Sequence, residues 1–212
     1  GRRVGSLGDI AAFDCYPHKN LGGYGDAACI TMNDDELYER VQMLRNMGMS
    51  SDGAHEIIGF HQHLDAIQAA VLTVKLRYLD EWNSKRQQWA ALYDELLADL
   101  PLVTPRVSGF ATHVYYKYTV RTPRRDALKE HLATRGIGSQ ISYSVPVPLE
   151  PAYRPLDYEE SDIPIAARYA EECLCLPMFP ELTEDEVRRV ATAVRDFFAG
   201  DACKRCAEEV IC

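Results

Sequence analysis

The chain has 212 residues, 47% of them hydrophobic and 26% charged, enough for one large domain or two small ones with a real core. A net charge of −9 and a pI near 5.2 exclude nucleic acid as the main partner, because phosphate binding needs a basic face. No apolar run approaches the roughly 18 residues that a bilayer span requires, and nothing reads as a signal peptide.

Residues 9–15, D-I-A-A-F-D-C, read as a short buried strand, and residues 27–32, A-A-C-I-T-M, as a second. Asn33-Asp34-Asp35 offers a helix N-cap, followed by Leu37, Val41 and Leu44 at helical spacing and a stop at Gly48. A Gly/Ser/Asp/His loop occupies residues 47–58. Apolar residues then recur at three- and four-residue steps from Leu64 to Leu100, which predicts one long helix closed by Pro101. Beyond it the pattern alternates. A strand is expected over Val114–Arg121, a helix over Arg124–Arg135, a strand over Gly138–Tyr143 and a proline-rich loop after it. Helices over Pro164–Cys173 and Thr183–Phe198 complete the order, the second opened by a Thr183/Glu186 capping box. The organisation is α/β on both sides of the long helix.

The seven cysteines are odd in number and scattered through apolar segments, which argues against a disulfide framework and for a reducing cytoplasm. The tail holds a C-x-x-C at Cys203 and Cys206, with Cys212 beyond. No nearby His or second pair completes a tetrahedral set, so no metal site is assigned there, and a zinc assay with and without residues 203–212 tests this. The tail is expected to be disordered.

Lys19 raises the functional question. The strand delivers Pro17-His18-Lys19 to a turn, and Gly22-Gly23-Tyr24-Gly25 follows, where glycines allow backbone to approach a ligand closely. One reading is a loop lysine in water. The other is an amine presented to a carbonyl compound for Schiff-base formation.

The segment G-S-L-G-D-I-A-A-F-x-x-Y-P-H-K-N-L-G-G-Y-G-D resembles the lysine segment of the DegT/DnrJ/StrS sugar aminotransferases. Four later stretches resemble the family in the same order: M-L-R-N-M-G, L-D-A-I-Q-A-A-V-L-x-V-K-L-R-Y-L-D-E-W-N, Y-x-V-P-V-P-L-E-P-A-Y and L-P-M-F-P-E-L-T. The resemblance covers about residues 1–198 and implies a fold. It is the C-terminal part of a pyridoxal-phosphate transferase of the aspartate-aminotransferase type. It also implies the chemistry: transfer of an amino group from glutamate to a nucleotide-linked keto-sugar, most similar to enzymes aminating C3 of dTDP-3-keto-6-deoxyhexoses, in a homodimer. Lys19 falls on the Schiff-base lysine, which also moves a proton between donor and cofactor.

The resemblance begins near the middle of a family member, and the chain opens on Gly, so a fragment is expected. The implied parts are a large-domain remnant over 1–57, a connecting helix over 58–100, a small α/β domain over 101–200 and a tail over 201–212. The remnant is expected to expose apolar surface and to oligomerise or aggregate. Asp14 stands where the family commonly has a Ser that bonds the cofactor phosphate, and a carboxylate there repels phosphate unless it turns away or is neutralised. His61 stands where the family has an Asn reaching the partner subunit's phosphate; His63 is given no role, and both histidines facing solvent is the alternative. Ser142 and Pro148 replace family residues of the sugar-binding loop, while Tyr143 keeps its place there and lines the sugar pocket or is a loop tyrosine without a ligand. Ala27-Ala28 replaces a common Gly-Gly, a mild change where φ is negative. The competing reading is a truncated or degenerate paralogue with a structural role only.

Overall fold

The computed structural model describes the backbone of residues 1–209 and the side chains of residues 1–200. The chain divides into two compact units, Gly1–Trp82 and Asn83–Cys212. The architecture is mixed α/β, as the alternation implied, with two antiparallel strand pairs among the described residues.

In the first unit, β1 (Ile10–Asp14) pairs antiparallel with β2 (Ala28–Met32), Phe13 opposite Cys29 and Asp14 opposite Ala28. Helix α1 (Asp35–Arg45) starts where the cap was expected: the Asp34 carboxylate accepts the Leu37 N–H at 2.8 Å. Gly48 follows it at φ +81°, and a Cβ there would meet the Ile57 carbonyl carbon at 2.7 Å, so only glycine fits. Among the described residues of this unit Cys15 is the one fully buried hydrophobic; α1 buries none, and Ile58, Ile67 and Phe60 are widely exposed.

The expected single helix from 64 to 100 is two helices, α2 (Ala66–Leu76) and α3 (Leu79–Leu97). The Arg77 N–H turns back to Val74 O and the Tyr78 N–H to Lys75 O, three residues back instead of four, which tightens and ends α2. The helical ladder restarts with the Trp82 N–H on Tyr78 O at 3.0 Å. Neither Pro nor Gly marks the break, so the apolar period runs through it undisturbed. The boundary between the two units falls inside α3.

The second unit carries the core. Here β3 (Tyr118–Arg121) pairs antiparallel with β4 (Cys173–Leu176). Helices α4 (Arg125–Thr134), α5 (Pro164–Glu172) and α6 (Glu184–Glu209) complete the layers. Tyr93, Leu97, Tyr118, Leu132, Leu174 and Val187 are among the side chains that fill the interior. The strand expected from Val114 is shortened because Tyr115 takes φ +43°, outside extended geometry, with its N–H on the His113 ring nitrogen. The strand expected over Gly138–Tyr143 reduces to one bridge, Gln140 to Cys175. The Thr183/Glu186 capping box forms as expected, Thr183 N–H to Glu186 Oε2 at 2.8 Å and Glu186 N–H to Thr183 Oγ1 at 3.3 Å.

Three donors on one face of α3 hold the L-P-M-F-P segment. Arg86 Nη1 donates to Met178 O at 3.0 Å, Trp89 Nε1 to Pro180 O at 3.4 Å and Tyr93 Oη to Pro177 O at 3.1 Å. The prolines have no N–H to offer a ladder, so their carbonyls take side-chain partners. Helix α6 extends beyond the expected end at Phe198. The backbone through Glu209, where disorder was expected, continues α6, while the rest of the tail and the grouping of Cys203, Cys206 and Cys212 fall on backbone and side chains outside the described residues. Among the described residues no helix is long and apolar enough to cross a membrane.

Candidate active site

The Lys19 turn is built from local chemistry. Cys15 N–H extends the β1–β2 ladder to Ala27 O at 2.8 Å. The chain then folds back, with the Lys19 N–H on Tyr16 O at 2.8 Å. Pro17 occupies the second position of this four-residue turn, where its fixed φ is favoured. Gly23 N–H then closes the whole 15–23 loop on Cys15 O at 2.8 Å.

Gly22 packs directly on that turn: a Cβ would lie 2.4 Å from Pro17 O and 2.9 Å from Tyr16 O. Both atoms are backbone and cannot move aside alone. Gly22→Ala is therefore expected to displace the Lys19 turn and to cut specific chemical labelling of Lys19 at least tenfold; unchanged labelling by peptide mass mapping would show that the turn tolerates the methyl group.

Helix α2 holds the glycine loop from a distance in sequence. Gln68 Oε1 accepts the Tyr24 N–H at 2.7 Å, and Lys75 Nζ donates to Gly22 O at 2.7 Å while lying 4.6 Å from the Tyr24 ring centre. Gln68 and Lys75 are seven residues apart, two helical turns, and so lie on one face. Sequence reasoning assigned neither a role. The available signal was their place in the L-D-A-I-Q-A-A-V-L-x-V-K stretch.

At the head of the site Lys19 Nζ lies 3.0 Å from Asp14 Oδ2, with the lysine side chain 31% exposed. Asp14 Oδ1 accepts the Tyr16 N–H at 2.8 Å. That backbone bond, with the Lys19 amine second, holds the Asp14 carboxyl below the usual carboxylate range. Asp14 therefore stays ionised and turns toward the lysine.

Asp14 also lines a cavity of about 770 Å³ with Asp26, Tyr38, Arg45 and His63. His63, to which no role was given, lines this cavity and places Nε2 3.0 Å from Asn46 Oδ1. His61 is not among the lining residues; it bridges Asn46 through the backbone, and its ring meets His63 edge-on at 5.1 Å.

Ser142 and Tyr143 lie in the second unit. They line a mostly apolar cavity of about 640 Å³ with Val147, Ile163, Pro164 and Tyr169. Tyr143 is widely exposed, and Ser142 Oγ accepts Lys117 Nζ at 2.7 Å. Lys117 is a third residue near the candidate sites that the sequence did not single out.

The profile of the DegT/DnrJ/EryC1/StrS aminotransferase family matches residues 1–195. The chain belongs to this family. A dTDP-3-amino-3,4,6-trideoxy-alpha-D-glucose transaminase of Streptomyces venezuelae is 43% identical over 198 residues, covering 93% of this chain and 52% of that protein. The crystal structure of S. venezuelae DesV in complex with a ketimine intermediate superposes with a TM-score of 0.89 at 43% identity, over 93% of this chain and 53% of that one. The protein Spr1654 of Streptococcus pneumoniae, described in a PLP form, shares the fold at 21% identity and a TM-score of 0.84, over 94% of this chain and 54% of its own. The chain spans about half the length of the curated relatives it matches.

Pyridoxal phosphate makes two demands on such a site. Its aldehyde needs a reachable primary amine, and Lys19 fits. Its phosphate needs donors and positive charge, and beside Lys19 the structure places the ionised carboxylate of Asp14. The residues at the turn fit the aldehyde end and oppose the phosphate end.

Proposed function

We propose that the whole protein transfers an amino group from glutamate to a nucleotide-linked keto-sugar, a dTDP-3-keto-6-deoxyhexose, as a homodimer in deoxyaminosugar biosynthesis. The observation that carries this reading is the Lys19 amine, held on a proline turn against a glycine loop, within a chain of this family. When bound, pyridoxal phosphate supplies the electron sink for amino transfer.

The chain's own residues have separable tasks. Lys19 supplies the primary amine and, once neutral, a base for moving a proton. Asp14 fixes the position of that amine. Gln68 and Lys75 hold the loop that faces it. Tyr143 and Ser142 stand in the reading as sugar contacts, at the mouth of an apolar cavity suited to a partly apolar ligand. The homodimer is supported by the apolar surface that residues 1–82 leave exposed, which association would cover.

The test is formation of 2-oxoglutarate from glutamate on addition of the keto-sugar nucleotide and pyridoxal phosphate to the whole protein. Amino-sugar nucleotide appearing in equal amount is the expected result. A second reading, a relative without catalysis, is favoured by the Asp14–Lys19 pair, and absence of both products would select it.

A further inference from the structure

A carboxylate that sits on the amine also sits on whatever condenses with it. The Lys19 ammonium must first give up a proton; the neutral amine then adds to the aldehyde carbon, a C–N bond forms, and the carbonyl oxygen leaves as water, giving an imine. Asp14 is 3.0 Å from that nitrogen and is tied back to the same turn by the Tyr16 N–H, so it cannot swing far from the new bond. We infer that Asp14 sets which aldehyde Lys19 accepts, disfavouring a phosphorylated aldehyde relative to the same aldehyde without its phosphate. The inference rests on the reading of Lys19 as the lysine that takes an aldehyde.

The charges around Asp14 support it. A phosphate monoester carries about −1.5 to −2 charge at neutral pH. Asp26 adds a second carboxylate to the cavity wall that Asp14 lines. The cationic side chain on that wall is Arg45, whose Nε already donates to Gln42 Oε1 at 2.7 Å, and His63 faces Asn46. At a water-like dielectric and ~6 Å separation, repulsion between Asp14 and such a phosphate converts to a roughly five- to tenfold preference. The ion pair with Lys19 bears on both aldehydes alike and cancels in their ratio.

The experiment compares pyridoxal 5′-phosphate with 5′-deoxypyridoxal, which has the same ring and aldehyde and no phosphate. Each is incubated with the chain, the imine is reduced with borohydride as hydride donor, and the Lys19 adduct is counted by peptide mass relative to the exposed Lys129. The expected result is a Lys19 adduct favouring 5′-deoxypyridoxal roughly five- to tenfold. Asp14→Asn keeps an acceptor for the Tyr16 N–H and brings the ratio toward one; Asp14→Glu restores the preference. A ratio equal in wild type and Asp14→Asn, or a wild-type preference for the phosphate, overturns the inference while leaving Lys19 as the reactive lysine. Lys19 labelled no more than Lys129 by either aldehyde, in all three proteins, overturns the reading of Lys19 itself and the inference with it.

Discussion

Lys19→Ala is expected to abolish the borohydride-trapped adduct in the peptide spanning residues 13–25 and to lower amino transfer by the whole protein at least a thousandfold. The removal is complete because no neighbour can replace the amine. His18 carries an imidazole, which does not form a stable imine. Lys75, near the same loop, has its ammonium on Gly22 O and over the Tyr24 ring, so it is engaged in holding the loop. A nucleophile that forms the covalent bond has no partial substitute, and its deletion costs orders of magnitude where a hydrogen-bond donor costs a hundredfold. Folding should be spared. The Asp14–Lys19 pair is partly exposed, with Asp14 on the surface, and ion pairs open to water contribute little to stability. Unchanged circular dichroism and thermal midpoint beside a lost adduct would therefore isolate chemistry from structure. An adduct surviving at the same peptide would remove Lys19 from the site.

Arg86→Ala is expected to destabilise the second unit by about 3 kcal/mol, the largest effect on folding among the single changes considered. The guanidinium is 6% exposed, and its Nη1 reaches three carbonyls, those of Tyr115, Tyr116 and Met178. Burial pulls its pKa below the ordinary arginine value, the mark of a charge taken out of water. Alanine would remove the donor from those acceptors, of which that of Tyr115 is buried, and would open a cavity between α3 and the 177–180 segment. Arg86→Met separates the two contributions, since it fills most of the volume and restores no hydrogen bond. Arg86→Lys should recover only part of the loss, because an ammonium cannot span the same acceptors as the planar fork. Urea titration of the three variants measures the series. A loss below about 1 kcal/mol for alanine would show that the three bonds are worth no more to folding than an exposed contact.

Short-range features were legible in the sequence because their causes are short-range. Asp34 caps α1 through a carboxylate three residues from the N–H it accepts. Thr183 and Glu186 close their box over the same span. Pro17 sets the turn that carries Lys19; Gly22, expected to admit a ligand, packs instead on that turn's carbonyls. In the second unit the helices came out in the expected order, but the strand paired with β3 is Cys173–Leu176 and not Gly138–Tyr143, and Tyr115 shortens β3 by adopting a backbone conformation that no residue pattern announces.

What the residue pattern does not report has a physical origin too. The apolar period from Leu64 to Leu100 continues unbroken through a helix end made by two backbone bonds, and the stripe it predicts on α2 buries no residue. His61 and His63 are alternate residues of one loop whose rings meet edge-on at 5.1 Å, and the fold places His63 on the cavity with Asp14. Asp14 was expected to repel a phosphate unless it turned away or was neutralised, and a turn brings it to 3.0 Å from the lysine five residues on.

By itself the sequence determined the family and the local devices of the turn that carries Lys19, because motif order, turn chemistry and capping act over a few residues. Only the tertiary structure decided what those residues touch. Gln68 and Lys75 reach the glycine loop across 44 and 53 residues, and Arg86 reaches Met178 across 92. Such contacts depend on where distant segments are packed, and a hydrogen bond formed there leaves no periodicity in the chain for a reader to find.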